Sequence, residues 1–274
     1  MHRKLACVDG RLAFVGGINV VDDYDAPGDT TPRHDYAVRV EGPLTAEVRA
    51  EAARLWSRVA LTAGRMPPLP PARAPAAPVA AGQRAALVTR DSVRHRRDIE
   101  DAYLELIDAA REEIFIACAY FFPGRRFRHA LVRAAQRGVR VVLLLQGLVE
   151  YVLPHYASRA LFGTLLAAGI RIEEYRHSFL HAKVAVFDCC RASVGSSNID
   201  PFSLLLAREA NVFVDDARFA AELRASLEEA MRTGARTLPP LEWRRRPLWR
   251  RAWNWIAYGI ARLLIGFAGY ERYH

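Results

Sequence analysis

Lysine is almost missing from this chain: of 39 basic residues only Lys4 and Lys183 are lysine, and the other 37 are arginine. Guanidinium therefore stands nearly everywhere a generic positive charge would serve. Both exceptions fall two residues after a histidine, His2 and His181. An ammonium is a compact, mobile point charge with three donors, whereas guanidinium is a planar fork, so these two positions call for the ammonium itself. Cysteine is scarce as well. The four residues Cys7, Cys118, Cys189 and Cys190 lie in apolar, strand-like runs with no zinc-site or disulfide spacing, so reduced, buried thiols are expected. The most apolar tail segment, residues 252–268, is short for a spanning helix and is interrupted by Arg262. No secretory leader is read at the front, because residue 2 already belongs to the pattern described below.

What is present is the make-up of an ordinary globular protein, 51% hydrophobic and 25% charged. Its 274 residues suffice for one large domain or two smaller ones with a proper core. A net charge of +9 and a pI near 9.8 fit an anionic partner, either phospholipid head groups or nucleic acid, though a plain basic surface reads the same way.

The sequence repeats itself. Residues 2–19 (HRKLACVDGRLAFVGGIN) and 181–198 (HAKVAVFDCCRASVGSSN) align without gaps at an offset of 179, with eight of eighteen positions identical. Each window is followed by an acidic residue opening a strand-like run, Asp35–Val40 and Glu209–Val214, and then by a helical stretch, roughly 44–62 and 216–233. Between the copies, residues 65–82 hold six prolines and read as an extended linker. Strands at 85–89, 114–119, 139–145 and 170–175 alternate with helices near 95–111, 125–137 and 157–168, which predicts an α/β fold. The expected organisation is two similar lobes of mixed sheet flanked by helices. Residues 1–64 form the C-terminal part of the first lobe, 65–83 the linker, 84–240 the second lobe, and 241–274 an Arg/Trp-rich tail ending in an apolar helix.

Residues 84–180 precede the second motif, but one residue precedes the first. The expectation is a frame that starts at an internal methionine and lacks the front of the first lobe, the other reading being an unusual remnant. In the tail, five arginines within 244–251 lead into residues 252–268, with Trp253 and Trp255 near the start. On a helix Arg251, Asn254 or Trp255, Tyr258 and Arg262 fall along one stripe, a pattern for a helix lying in a membrane interface. The other reading is a helix packed on the protein.

Each motif has the spacing His-x-Lys-x4-Asp-x6-Gly-x-x-Asn: His2, Lys4, Asp9, Gly16 and Asn19 in the first, His181, Lys183, Asp188, Gly195 and Asn198 in the second. Histidine and lysine at alternate positions of a strand share a face. Asp9 and Asp188, an odd number of residues beyond the lysine, face away and are given structural turn roles, and Asp9-Gly10 is a hairpin pair. Gly16 and Gly195 would let backbone approach a ligand closely, and the asparagine amides and the Ser196 hydroxyl could donate to phosphoryl oxygens. Two lysines and two asparagines around one phosphate would stabilise its equatorial oxygens. One histidine can attack phosphorus and the other can protonate the departing alkoxide. The lysines supply the positive charge, so neither metal nor cofactor is expected. Of the remaining histidines, His177 is near enough in sequence to line the pocket.

These residues resemble the paired HKD motifs of the phospholipase D superfamily. The segments GGINVVDDYD, HDYAVRVEGPL and GSSNIDPFSLLLAREANV resemble bacterial cardiolipin synthases, in particular the B type, across nearly the whole chain except the linker. The resemblance implies a bilobed fold with both motifs meeting between the lobes, and transfer of a phosphatidyl group between two phosphatidylglycerol molecules with release of glycerol. It further implies that an acidic residue downstream of each motif orients its histidine through the second ring nitrogen, and Asp35 and Glu209 match by position. The partners implied are anionic phospholipids and the membrane surface rather than nucleic acid, at the cytoplasmic side of a bacterial cell membrane. Gly17 departs from the motif, standing where Ser196 stands in the second copy, which leaves the first half-site one donor short. The alternatives are a hydrolytic phospholipase D or nuclease of the same superfamily, and an inactive membrane-binding fragment.

Overall fold

The computed structural model describes residues 2–20, 32–65, 82–91, 94–201, 203 and 207–267. The repeat is visible as two equivalent hairpins. In the first, β1 (Lys4–Val8), β2 (Leu12–Gly16) and β3 (Ala37–Glu41) form an antiparallel sheet in that order, followed by α1 (Leu44–Thr62). In the second, β8 (Lys183–Phe187), β9 (Arg191–Gly195) and β10 (Glu209–Asp215) pair in the same sense and lead into α5 (Ala217–Gly234). Lys4 lies opposite Gly16 in one ladder, and Val184 opposite Val194 in the other, which is the same register. Both hairpins turn through left-handed backbone, at Asp9 (φ 52°) and Gly10 (φ 66°), and at Asp188 (φ 48°) and Cys189 (φ 51°). The aspartate readings as turn residues fit this geometry. Cys189 therefore sits in a turn rather than a strand, and Cys118 alone of the four thiols is buried.

The second hairpin belongs to a larger mixed sheet. Preceding it are β4 (Arg84–Arg90), α2 (Asp98–Ala109), β5 (Glu113–Cys118), α3 (Arg125–Gln136), β6 (Arg140–Gln146), α4 (Val152–Ala167) and β7 (Arg171–Tyr175). With β11 (Ala235–Thr237) the sheet has eight strands in the order β11-β7-β6-β5-β8-β9-β10-β4, parallel from β7 to β5 and antiparallel beyond. Apolar layers cover both faces of its centre, which is why β5, β6 and β8 read as continuous apolar runs rather than alternating ones. Ile114, Ile116, Leu143 and Leu145 pack with α2, α3 and α4 on one face. Phe115, Ala117, Val142 and Leu144 share the other with α5 and with Ala13, Val15, Val38, Val40 and Val48 of the small sheet and α1. The small sheet thus lies on the large one over β9 and β10.

Two expected elements shift. Helix α4 starts at Val152, five residues before the predicted start at 157. Pro154 falls in its first turn, where a missing N–H costs no intrahelical bond, so the proline does not delimit the helix. After α6 (Pro240–Arg244), the tail forms α7 (Leu248–Phe267), which packs along α4. The predicted head-group stripe is divided: Asn254 is buried and Tyr258 packs edge-on against Phe122, while Trp255 is exposed. Among the described residues no helix is long and apolar enough to cross a membrane. Residues 66–81, most of the predicted linker, lie outside the described residues.

Candidate active site

Two symmetric backbone contacts bring the motifs together. The His181 N–H donates to the His34 carbonyl (2.9 Å), and the His34 N–H to the Phe179 carbonyl (2.9 Å), forming a short parallel bridge. In mirror fashion the His2 N–H donates to the Arg208 carbonyl (3.2 Å), with the Arg3 guanidinium on the Glu209 carbonyl (2.9 Å). In each case the histidine segment lies beside the segment that opens the other hairpin's third strand.

The consequence is a crossed pairing. His181 Nδ1 is 2.6 Å from Asp35 Oδ2, and His2 Nδ1 is 3.0 to 3.1 Å from the two oxygens of Glu209. Matching each acid to the histidine of its own motif is therefore corrected: Asp35 serves the second motif and Glu209 the first. Each carboxylate accepts a hydrogen bond from Nδ1–H, which fixes that tautomer and leaves the Nε2 lone pair available.

Each lysine leads its strand, with its ammonium turned back to the carbonyl of its own histidine: Lys4 Nζ to His2 at 2.8 Å, and Lys183 Nζ to His181. Lys183 Nζ is also 3.9 Å from Asp35 Oδ2. Burial pulls the Lys183 pKa down to about 8, opposed by Asp35 and reinforced by Lys4. Burial likewise lowers Lys4, against the attraction of Glu209 and Asp35. Each ammonium thus feels both carboxylates, so the half-sites share one electrostatic environment. The buried His181 is also held below the ordinary histidine range, mainly by desolvation, despite its bond to Asp35.

The small residues after the turn do other work than expected. Ser196 Oγ donates to Glu209 Oε2 (2.6 Å) and accepts the Ala210 N–H (3.1 Å), so its hydroxyl holds the acid and is not free for a phosphoryl oxygen. At Gly17 a Cβ would fall 2.6 Å from Asp35 Oδ2, so Asp35 itself occupies the space a serine would need. A Cβ on Gly195 would lie 2.6 Å from the Ala210 carbonyl oxygen and overlap Asn211, and one on Gly16 would fall 2.7 Å from Ala37 Cβ. These two glycines admit the neighbouring strand, not a ligand. Asn198 is buried, its Oδ1 accepting the Tyr120 N–H (3.3 Å), which leaves Nδ2 as the half of the amide able to donate. Asn19 is half-buried on the loop after β2. Asp188 accepts the N–H groups of Arg111, Glu112 and Glu113 at 2.8 to 3.0 Å, tying the β8–β9 turn to the start of β5. His177 is exposed next to Gly234.

Sequence reasoning missed several supports. Arg3 donates to the Glu209 and Arg90 carbonyls and pairs with Glu51 of α1. Asn211 takes the Ser197 N–H on Oδ1 (3.3 Å), and Cys118 Sγ accepts the Ile199 N–H (3.3 Å), so both brace the loop carrying Asn198. The one available signal was a buried Asn and Cys in otherwise apolar strands. Among the described residues no group of His, Cys, Asp or Glu is arranged to hold a metal ion.

A family model described as "Cardiolipin synthase, PLD-like domain" matches residues 103–231. Cardiolipin synthase B of Escherichia coli K12 is 36% identical over 284 aligned residues, covering 100% of this chain and 66% of the relative. The chain belongs to the cardiolipin synthase family of the phospholipase D superfamily. Cardiolipin synthase A of Pectobacterium carotovorum is 30% identical over 96% of this chain and 54% of its own length. The crystal structure of phosphatidylserine synthase from Haemophilus influenzae Rd KW20 superposes on 98% of this chain and 70% of that one, with a TM-score of 0.65 at 12% identity, a likeness of fold. The chain thus spans 66% of the length of the cardiolipin synthase B it matches.

Proposed function

We propose that the chain transfers a phosphatidyl group from one phosphatidylglycerol to another through a phosphohistidine, forming cardiolipin and releasing glycerol. One observation carries the reading: two histidines, each with Nδ1 on a carboxylate of the opposite motif, stand with two partly or fully buried ammonium groups. Nε2 of one histidine attacks phosphorus, the bond to the glycerol oxygen breaks, and the second histidine gives that oxygen a proton. The primary hydroxyl of a second phosphatidylglycerol then attacks phosphorus and yields its proton to the second histidine as the phosphorus–nitrogen bond breaks. Lys4, Lys183, Asn19 and Asn198 donate to the non-bridging oxygens, where charge accumulates.

In this reading residues 1–64 and 84–240 are two phospholipase D-like lobes sharing one site, joined by 65–83. Residues 241–274 place the protein peripherally on the cytoplasmic face of a bacterial membrane, with anionic phospholipids as its partners. Incubation with phosphatidylglycerol vesicles, without added metal, is expected to give cardiolipin and glycerol in equal amounts. Phosphatidic acid as the product would replace the reading with hydrolysis, and DNA cleavage abolished by His181→Ala would replace it with a nuclease.

A further inference from the structure

A cavity of about 400 Å³ is lined by the candidate-site residue Asn198 together with residues of α4 and α7. Asn198, Asp200 and Ser203 supply polar lining. Most of the remaining wall is apolar: Phe122 after β5, Leu153 and Ala157 on the first turns of α4, and Ala261 and Leu264 on α7. Ala157 and Ala261 keep the channel open, since larger side chains at either position would fill it.

Helix α7 also carries a second, exposed apolar surface. On α7 the exposed residues Trp249, Trp253, Ile256, Ile260 and Leu263 recur at helical spacing and form one stripe, while Asn254, Ala257 and Ala261 face the protein. Leu264, 52% exposed, lies at the border of that stripe and also lines the cavity. The cavity therefore connects a residue placed to hold a phosphodiester with a helix face suited to lipid. A ligand matching both ends has an anionic phosphodiester at one end and a long hydrocarbon tail at the other. A head group alone, or a polynucleotide, has no hydrocarbon to place along such a wall.

We infer that this channel holds one acyl chain of the phosphatidyl donor while its phosphodiester lies at the paired histidines. The inference rests on the phosphatidyl-transfer reading for its head-group end. Binding should strengthen by roughly fourfold per methylene buried in the channel and level off once the chain outruns it.

The full chain would be exposed in detergent micelles to phosphatidylglycerol carrying a photoactivatable diazirine in one acyl chain, and the labelled peptides mapped. Label on Leu153–Ala157 and Ala261–Leu264, displaced by unlabelled long-chain but not dibutyryl phosphatidylglycerol, is the expected result. In parallel, kcat/KM would be measured against acyl length for the unaltered chain and Ala261→Trp, with melting curves to verify folding. The variant should lose most of the dependence on chain length. Label confined to the exposed stripe, or an unaltered length dependence in folded Ala261→Trp, overturns the inference. If Ala261→Trp does not fold, the labelling map of the unaltered chain decides alone. Channel labelling without cardiolipin formation would refute the transfer reaction and leave the channel standing; cardiolipin formation with label elsewhere would do the reverse.

Discussion

At the scale of single residues, the site is a set of exchanged partners. The motif spacing made His2, Lys4, His181 and Lys183 legible in sequence, because two copies with matching offsets contain the only lysines in the chain. The partner of each histidine was not legible. It depends on backbone bonds such as His2 to Arg208, between segments remote in sequence, and no local pattern encodes them. The crossing can be tested directly. Asp35→Asn should alter the ring-nitrogen NMR signals of His181 and leave those of His2 in place, and Glu209→Gln should do the opposite. Each substitution removes the carboxylate that fixes the Nδ1–H tautomer, so kcat should fall by about 10³–10⁴-fold with little change in KM. A shift of the His2 signals in Asp35→Asn would refute the crossed pairing. The pH profile follows from the neighbouring groups. Lys183, its pKa lowered by burial to about 8, carries its charge below that pH and loses it above. The attacking imidazole must be neutral, and His181 is pushed below its ordinary value of 6.5. If His181 is the attacking residue, kcat/KM should climb through a histidine pKa under that value, hold near neutrality, and decline around pH 8. Lys183→Arg, charged throughout, should lack the alkaline decline while running slower at neutral pH, since a planar fork does not reproduce the ammonium geometry.

At the scale of elements, the hairpins were the clearest part of the sequence and the glycines the most misleading. Alternating strands and helices were readable from periodicity, and the turn positions of Asp9 and Asp188 from parity along the strand. Gly16 and Gly195 looked like ligand contacts because glycine permits any close approach, and only the packed sheet shows that the approaching group is the next strand. Asp188 separates structural from chemical roles. It is the acceptor for three N–H groups at the start of β5, and these hold its pKa below the ordinary value although burial alone would raise it. Its contribution to stability is complete above that ordinary value and fades as pH falls through the lowered one. Asp188→Ala removes these bonds, of which the one from Glu113 is part-buried, and should cost about 1–2 kcal/mol, seen as a lower midpoint in chemical denaturation. Turnover measured where the variant is still folded should stay near that of the unaltered chain. A large loss of kcat in fully folded Asp188→Ala would move this residue into the chemistry.

At the scale of the whole molecule, the proposed function makes α7 the element through which the site meets its substrate. Composition showed an apolar, aromatic, arginine-flanked tail; the packed reading describes one face of the helix, and the interfacial reading stays a proposal for the other. The side carrying Asn254, Ala257 and Ala261 packs on α4 because small residues there allow close approach, and the opposite stripe from Trp249 to Leu263 is left exposed. Arg250 and Arg251 are exposed at its start, where they can meet head-group phosphates. The proposed peripheral attachment has two separable components, apolar burial and charge attraction, and salt distinguishes them. The chain is expected to co-sediment with phosphatidylglycerol vesicles more strongly than with neutral phosphatidylcholine vesicles, and raising the salt should erase most of that preference without abolishing binding. Replacing Trp253, Ile256 and Ile260 together by serine removes three side chains from the stripe and should weaken partitioning by at least about a hundredfold. Those residues lie on the face away from α4, so the melting temperature should hardly move. Cardiolipin formation on vesicles should collapse in step with binding, while turnover of a monomeric short-chain phosphatidylglycerol should persist. If vesicle binding survives the triple substitution intact, the membrane is met by some other surface, and α7 is a packing helix alone.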